Sequence, residues 1–107
     1  SRIGKDEYGQ EILDTLEEQK FNTDYLQIDD YYPSGKVLVQ LSKEGIPEFN
    51  IVKDVAYDYL TYNEKLEELL QQKISFVYFG TLIQRNKESF ATVSQILEKV
   101  DNSIPRI

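Results

Sequence analysis

Apolar residues recur at helical spacing in three stretches of this 107-residue chain, and the segments between them alternate or run continuously apolar, as strands do. Ile12, Leu13 and Leu16 fall on one face of a first helix, with acidic residues on the other. Asp6 is placed to cap this helix ahead of Glu7, and the pattern fades near Lys20. Leu66, Leu69 and Leu70 mark a second helix, which Asn63 caps and which ends close to Gln72. A third opens at Asn86 or Lys87 and carries Phe90, Val93, Ile96, Leu97 and Val100 as its inner stripe.

Between the helices lie the strand candidates. Tyr25 to Ile28 is a short extended stretch, and Asp29 to Gly35 is a loop punctuated by Pro33 and Gly35. Lys36 to Leu41 and Glu48 to Lys53 form a hairpin around Ser42-Lys-Glu-Gly45, with Val37 and Val39 on one face and Leu38 and Leu41 off it. A lone two-stranded hairpin is marginal in water, so this one is expected to rest on another sheet, a substrate or a second subunit. Ile74 to Phe79 reads as a buried parallel strand that stops on Gly80-Thr81 and so delivers a loop to a ligand crevice. There the glycine permits close approach, and Thr81 offers a hydroxyl at the strand's carboxyl end. Strands alternating with helices predict an α/β fold with parallel pairing through right-handed crossovers. Arg2-Ile3-Gly4 reads as the end of a strand and Pro105-Arg106-Ile107 as the start of another, so both ends are expected to be cut from a longer chain.

Charge and composition narrow the chemistry. The formal net charge of −7, from 19 acidic and 12 basic residues, argues against nucleic acid and against an anionic membrane surface. No apolar run approaches the length of a membrane span. A soluble, cytoplasmic protein is the expectation. The chain has no cysteine and no histidine, which removes thiolate and imidazole chemistry and any Ser/His/Asp triad. Gly4 to Gly9 lacks Walker-type spacing and reads as a strand-to-helix turn with an aspartate cap. Asp29-Asp30 and Glu17-Glu18 read as solvated surface charge rather than a Mg²⁺ or Ca²⁺ site. Tyr31, Tyr32, Tyr57, Tyr59 and Tyr62 read as packing residues ahead of sugar-stacking ones. Gly80 and Thr81 with Gln84 and Arg85 make a neutral hydrogen-bonding loop with one cation, suited to orienting a polyol or phosphate, or to capping the next helix.

Taken in order, several strings resemble one family. Ser1-Arg-Ile-Gly-Lys-Asp-Glu-Tyr-Gly9 is similar to a segment of the form vGxDxfG, and Phe21-Asn-Thr-Asp24 to a gVdt connection. Pro33-Ser-Gly-Lys-Val-Leu-Val39 resembles a Ser/Thr-Gly lead into a lid strand, and Val55-Ala-Tyr-Asp-Tyr59 a vAyD segment. Phe79-Gly-Thr-Leu-Ile-Gln-Arg85 is similar to fGsLaqR. The family is the PfkB, or ribokinase-like, carbohydrate kinases, and the last string leans toward the fructokinase-like branch.

The resemblance implies a ribokinase-like parallel-sheet core from 1–28 and 63–107, with a lid β-hairpin at 34–54. It also implies transfer of the ATP γ-phosphoryl group to a sugar hydroxyl, with Mg²⁺ and ATP held by parts of a full-length parent outside this chain. The family's sugar-binding aspartate would precede Ser1, and its Asp-x-Asn-x-Arg segment and catalytic base would follow Ile107, so the chain alone is expected to be inactive. Val37, Val39, Gly80 and Thr81 match positions facing a small-molecule sugar, whereas Gln84 and Arg85 match the motif without an assignable contact. A homodimer through the lid is a further implication. Two rival readings stand beside it: a freestanding acidic α/β module binding a partner through the hairpin edge, and a degenerate kinase relative serving as a scaffold.

Overall fold

The computed structural model describes residues 1–107. Strand β1 (Arg2–Gly4) leads into helix α1 (Glu7–Glu18), which crosses back to strand β2 (Gln27–Asp29). The two strands pair in parallel, with Ile3 opposite Ile28 and Gly4 opposite Asp29. Asp6 caps α1 by accepting a hydrogen bond from the Gly9 amide at 2.8 Å. β2 starts two residues later than the Tyr25 edge suggested by the sequence. Leu26 instead closes a turn by donating its amide to the Thr23 carbonyl.

The hairpin consists of β3 (Val37–Leu41) and β4 (Pro47–Ile51), antiparallel, joined through a turn in which Gly45 has φ +77°. Register puts Val37 opposite Ile51, Val39 opposite Phe49 and Leu41 opposite Pro47. Cross-strand partners point the same way, so Leu41 joins the Val37 and Val39 face instead of leaving it. Every residue of both strands is exposed, including Phe49 at 69 %. The hairpin therefore projects with a bare apolar face.

The chain continues into a short 3-10 turn (Ala56–Tyr59), helix α2 (Glu64–Leu70), a second 3-10 turn (Leu82–Gln84) and helix α3 (Lys87–Lys99). Asn63 and Asn86 cap α2 and α3 as their sequences suggest, accepting from Leu66 and Glu88 amides at 2.9 Å each. The core lies where β1, the Ala56–Tyr59 turn and α3 meet, around Ile3, Val55, Ala56, Leu60 and Val93. α3 docks through hydroxyls as well as apolar groups. Ser89 Oγ donates to the Tyr57 carbonyl and accepts from the Leu60 amide, and Thr92 Oγ1 donates to the Leu60 carbonyl at 2.7 Å. Those three bonds satisfy backbone groups that no sheet reaches.

Two features depart from the sequence pattern. Phe90, expected on the inner stripe of α3, is 52 % exposed, and its place is taken by Ser89 and Thr92. The Ile74–Phe79 run does not form a buried strand within this chain: Phe76 and Tyr78 are exposed, and only Val77 pairs, in parallel, with Arg106. Its amides at Val77 and Phe79 donate to the carbonyls of Pro105 and Ile107. The other edge faces an apolar cleft of about 500 Å³ toward Ser1 and Leu60, so the segment has a neighbour on one side only. No helix is long and apolar enough to cross a membrane.

Candidate functional site

The carboxyl ends of β1 and β2, the root of the hairpin and the loop after Phe79 are held together by three aspartates. Asp6 is the first. While one oxygen caps α1, Oδ2 accepts from the Ser34 amide at 2.7 Å, fixing the segment that leads into β3. Ser34 Oγ in turn accepts from the Gly4 amide at 2.9 Å. This crossing works only without side chains: a Cβ on Gly9 would be driven into the Gly4 carbonyl, and one on Gly35 into the Tyr57 ring. The vGxDxfG-like string is therefore a strand-to-helix turn that also anchors the hairpin.

Asp29 is the second, and here the sequence reading needs correcting. It is not solvated surface charge but 4 % exposed, paired with Arg2 Nε at 2.7 Å and accepting from the Tyr31 and Tyr32 amides at 2.8 Å. Its neighbour Asp30 is exposed and sits beside Lys5, so only one of the adjacent carboxylates behaves as the pattern implied. Partners explain the difference: Asp29 ends β2 where Arg2 of β1 and the Tyr31 and Tyr32 amides converge on it, whereas Asp30 meets only an exposed lysine.

Asp58 is the third. Its carboxylate takes both arms of the Arg85 guanidinium, at 2.6 and 2.8 Å, and also accepts from the Val55 amide. Arg85 further donates to the Val52 carbonyl, one residue past β4, and lies 5.2 Å from the Tyr57 ring centre. The motif alone assigns Arg85 no contact, and the structure gives it one: the vAyD and fGsLaqR strings are two halves of one clamp. Tyr32 and Tyr59 follow the packing reading, stacked at 3.7 Å between ring centres, whereas Tyr31 is 85 % exposed. The Tyr59 hydroxyl donates to Asp54, and its bonding with Tyr32 and Asp54 raises its pKa, so it ionises less readily than an ordinary phenol.

The other candidate residues occupy two separate places. Val37 and Val39 lie on the open face of the hairpin, each about half exposed. Gly80 and Thr81 lie at the end of the Val77–Phe79 segment, both exposed, and nothing in this chain comes within 4 Å of where a Gly80 Cβ would stand. Thr81 makes no capping bond with its side chain, while Gln84 Nε2 donates to the Gly80 carbonyl at 3.0 Å and steadies that loop. No three His, Cys, Asp or Glu residues gather closely enough to hold a metal ion.

All three aspartates ionise more readily than an ordinary carboxyl. For Asp6 the Ser34 amide is the main cause. For Asp29 and Asp58 burial opposes ionisation, but the bonds from amides and from Arg2 or Arg85 outweigh it. A lowered folded value contributes stability above the unfolded carboxyl pKa of about 3.9, lost as pH falls through the folded value. The melting-temperature gap between wild type and Asp29→Asn should therefore hold from pH 7 to about 5 and narrow below about 4. A gap that stays constant into acid would contradict this.

Comparisons with known proteins bear on this scaffold as a whole. A profile of the pfkB family of carbohydrate kinases matches residues 1–107. An uncharacterized sugar kinase of Pyrococcus horikoshii, PH1459, is 29 % identical over 103 residues, which is 96 % of this chain and 33 % of that protein. Its crystal structure in complex with ATP superposes with a TM-score of 0.81 at 27 % identity, covering 99 % of this chain and 34 % of the other. The apo fructokinase of Vibrio cholerae O395 shares the fold, with a TM-score of 0.74 at 20 % identity over 97 % of this chain and 35 % of its own. The chain thus spans about a third of the length of the relatives it matches.

Proposed function

Because the chain belongs to the pfkB family of carbohydrate kinases, we propose that the protein carrying it transfers the ATP γ-phosphoryl group to a hydroxyl of a small sugar. The chain's own part is enclosure and positioning. The hairpin carries this reading: it is tied to the core at its root and turns a bare face of Val37, Val39, Leu41, Phe49 and Ile51 outward. An apolar cover of that kind excludes water from a reacting centre and strengthens electrostatic interactions beneath it. Gly80 and Thr81 supply an open strand end with a free hydroxyl, the kind of surface that orients a polyol.

Phosphoryl transfer rests on alignment and charge stabilisation, with a carboxylate accepting the hydroxyl proton. Each of the buried carboxylates here is engaged by amides or a guanidinium, and none is free to serve as that base. The proposal assigns the base, the Mg²⁺ ligands and the nucleotide pocket to residues outside 1–107. A fructose-like hexose is the favoured acceptor, on the strength of the Phe79–Arg85 string. A homodimer through the lid face and a cytoplasmic setting belong to the same proposal.

A coupled assay of ADP release by the whole protein, run over ketohexoses, aldohexoses, pentoses and nucleosides, tests it. The expected result is sugar-dependent ADP release, highest with a fructose-like hexose. No release with any sugar or nucleoside would remove the kinase reading, and release restricted to a pentose or nucleoside would remove only the choice of acceptor.

A further inference from the structure

One guanidinium ties the exit of the hairpin to the loop that follows Gly80-Thr81. Arg85 Nη2 donates to the Val52 carbonyl at 2.5 Å, and the Val52 amide itself donates to Lys36 at the start of the hairpin. Through Nε and Nη2 the same group grips Asp58, whose side chain is 3 % exposed against 22 % for Arg85. Its own backbone continues from Gly80 through the Leu82–Gln84 turn, and Gln84 bonds back to Gly80. Beside the clamp, Asp54 has φ +56°, a left-handed conformation that aspartate adopts more readily than most residues, and the Tyr59 hydroxyl bonds its side chain. Residues Val52 to Val55 are thus a bent joint between hairpin and core, and Arg85 is the side chain that bridges it.

We propose that Arg85 is a positioning residue that fixes the angle of the β3–β4 hairpin over the strand end bearing Gly80 and Thr81, so that sugar affinity depends on its two-armed geometry. The inference rests on the kinase reading for its link to sugar, and on the geometry alone for its link to the hairpin. An ion pair that merely stabilised the fold would need only Asp58. The contact with Val52 is what reaches the hairpin, and a single ammonium cannot reproduce a fork that serves both.

Arg85→Lys in the whole protein separates the two roles, because it keeps a cation beside Asp58 while losing the fork. Amide exchange over 37–52 should accelerate about tenfold while α3 stays unchanged. The sugar KM should rise about tenfold, with the ATP KM held within about twofold. Uniform acceleration in hairpin and helices, or none, would overturn the proposal, as would selective acceleration with an unchanged sugar KM. Should wild type release no ADP, the kinase reading fails by itself and the exchange pattern still decides the hairpin joint. Should Arg85→Lys not fold, the neutral pair Arg85→Gln with Asp58→Asn leaves no buried charge unmatched and is read by the same measurements.

Discussion

Replacing Arg2 by methionine should destabilise the protein by about 3 kcal/mol, because it strands a buried carboxylate. Asp29 has a side chain only 5 % exposed, and Arg2 is its charge partner at 2.7 Å. The two amides of Tyr31 and Tyr32 would still bond it, but they carry no full charge. The same guanidinium reaches Gln27 and Thr61 through Nη1, at 3.3 and 3.2 Å, so its loss also loosens the segment after the Ala56–Tyr59 turn. Adding Asn at position 29 should recover much of the loss, since an amide leaves no charge to compensate. Urea unfolding of wild type, Arg2→Met and the double variant measures all three. A single variant as stable as wild type would show that solvent reaches Asp29.

Gly9→Ala should cost a further about 3 kcal/mol, opposite in sign to the roughly 1 kcal/mol that alanine gains over glycine in a helix. The new methyl would meet the Gly4 carbonyl oxygen and approach Ser34 Oγ at 3.1 Å. One is backbone, and the other holds the Gly4 amide, so neither can step aside as a flexible side chain would. Relief requires α1 to move off β1, which also pulls Asp6 from the Ser34 amide. The expected signature in denaturation is a lower midpoint with the helix content retained. A higher midpoint would mean that helix propensity outweighs the crossing.

The local signals in the sequence were faithful wherever a single element decides its own structure. Asp6, Asn63 and Asn86 cap the helices they precede, because a cap is a contact across two or three residues. The hairpin around Ser42–Gly45 follows for the same reason. What the pattern could not convey is what only distant pairing settles. Asp29 and Asp30 are alike in sequence, yet the first meets Arg2 across a parallel ladder and the second meets solvent. Nothing local marks Gly4, Gly9 and Gly35 as crowded, because the segments that cross there are distant in sequence. Arg85 and Asp58 lie 27 residues apart, and no periodicity links them. Their presence in two adjoining family-like strings was the one available hint. Ser89 and Thr92 carry no such signal, since a helix stripe is read from apolar residues and these two bind the chain by hydroxyls.

The way α3 and β1 both lean on the Ala56–Tyr59 turn has a consequence for synthesis on the ribosome. Arg2 and Ile3 emerge more than fifty residues ahead of that turn, and Arg85, Ser89 and Thr92 arrive later still. At roughly 5–20 residues per second, the interval between Arg2 and Arg85 is about 4 to 17 s. Within it, the hairpin emerges more than thirty residues ahead of the Arg85 that fixes its root, and its open face is free to meet other apolar surfaces. Slow translation between Val55 and Arg85 lengthens that exposure, so rare codons there should lower soluble yield more than the same codons placed after α3.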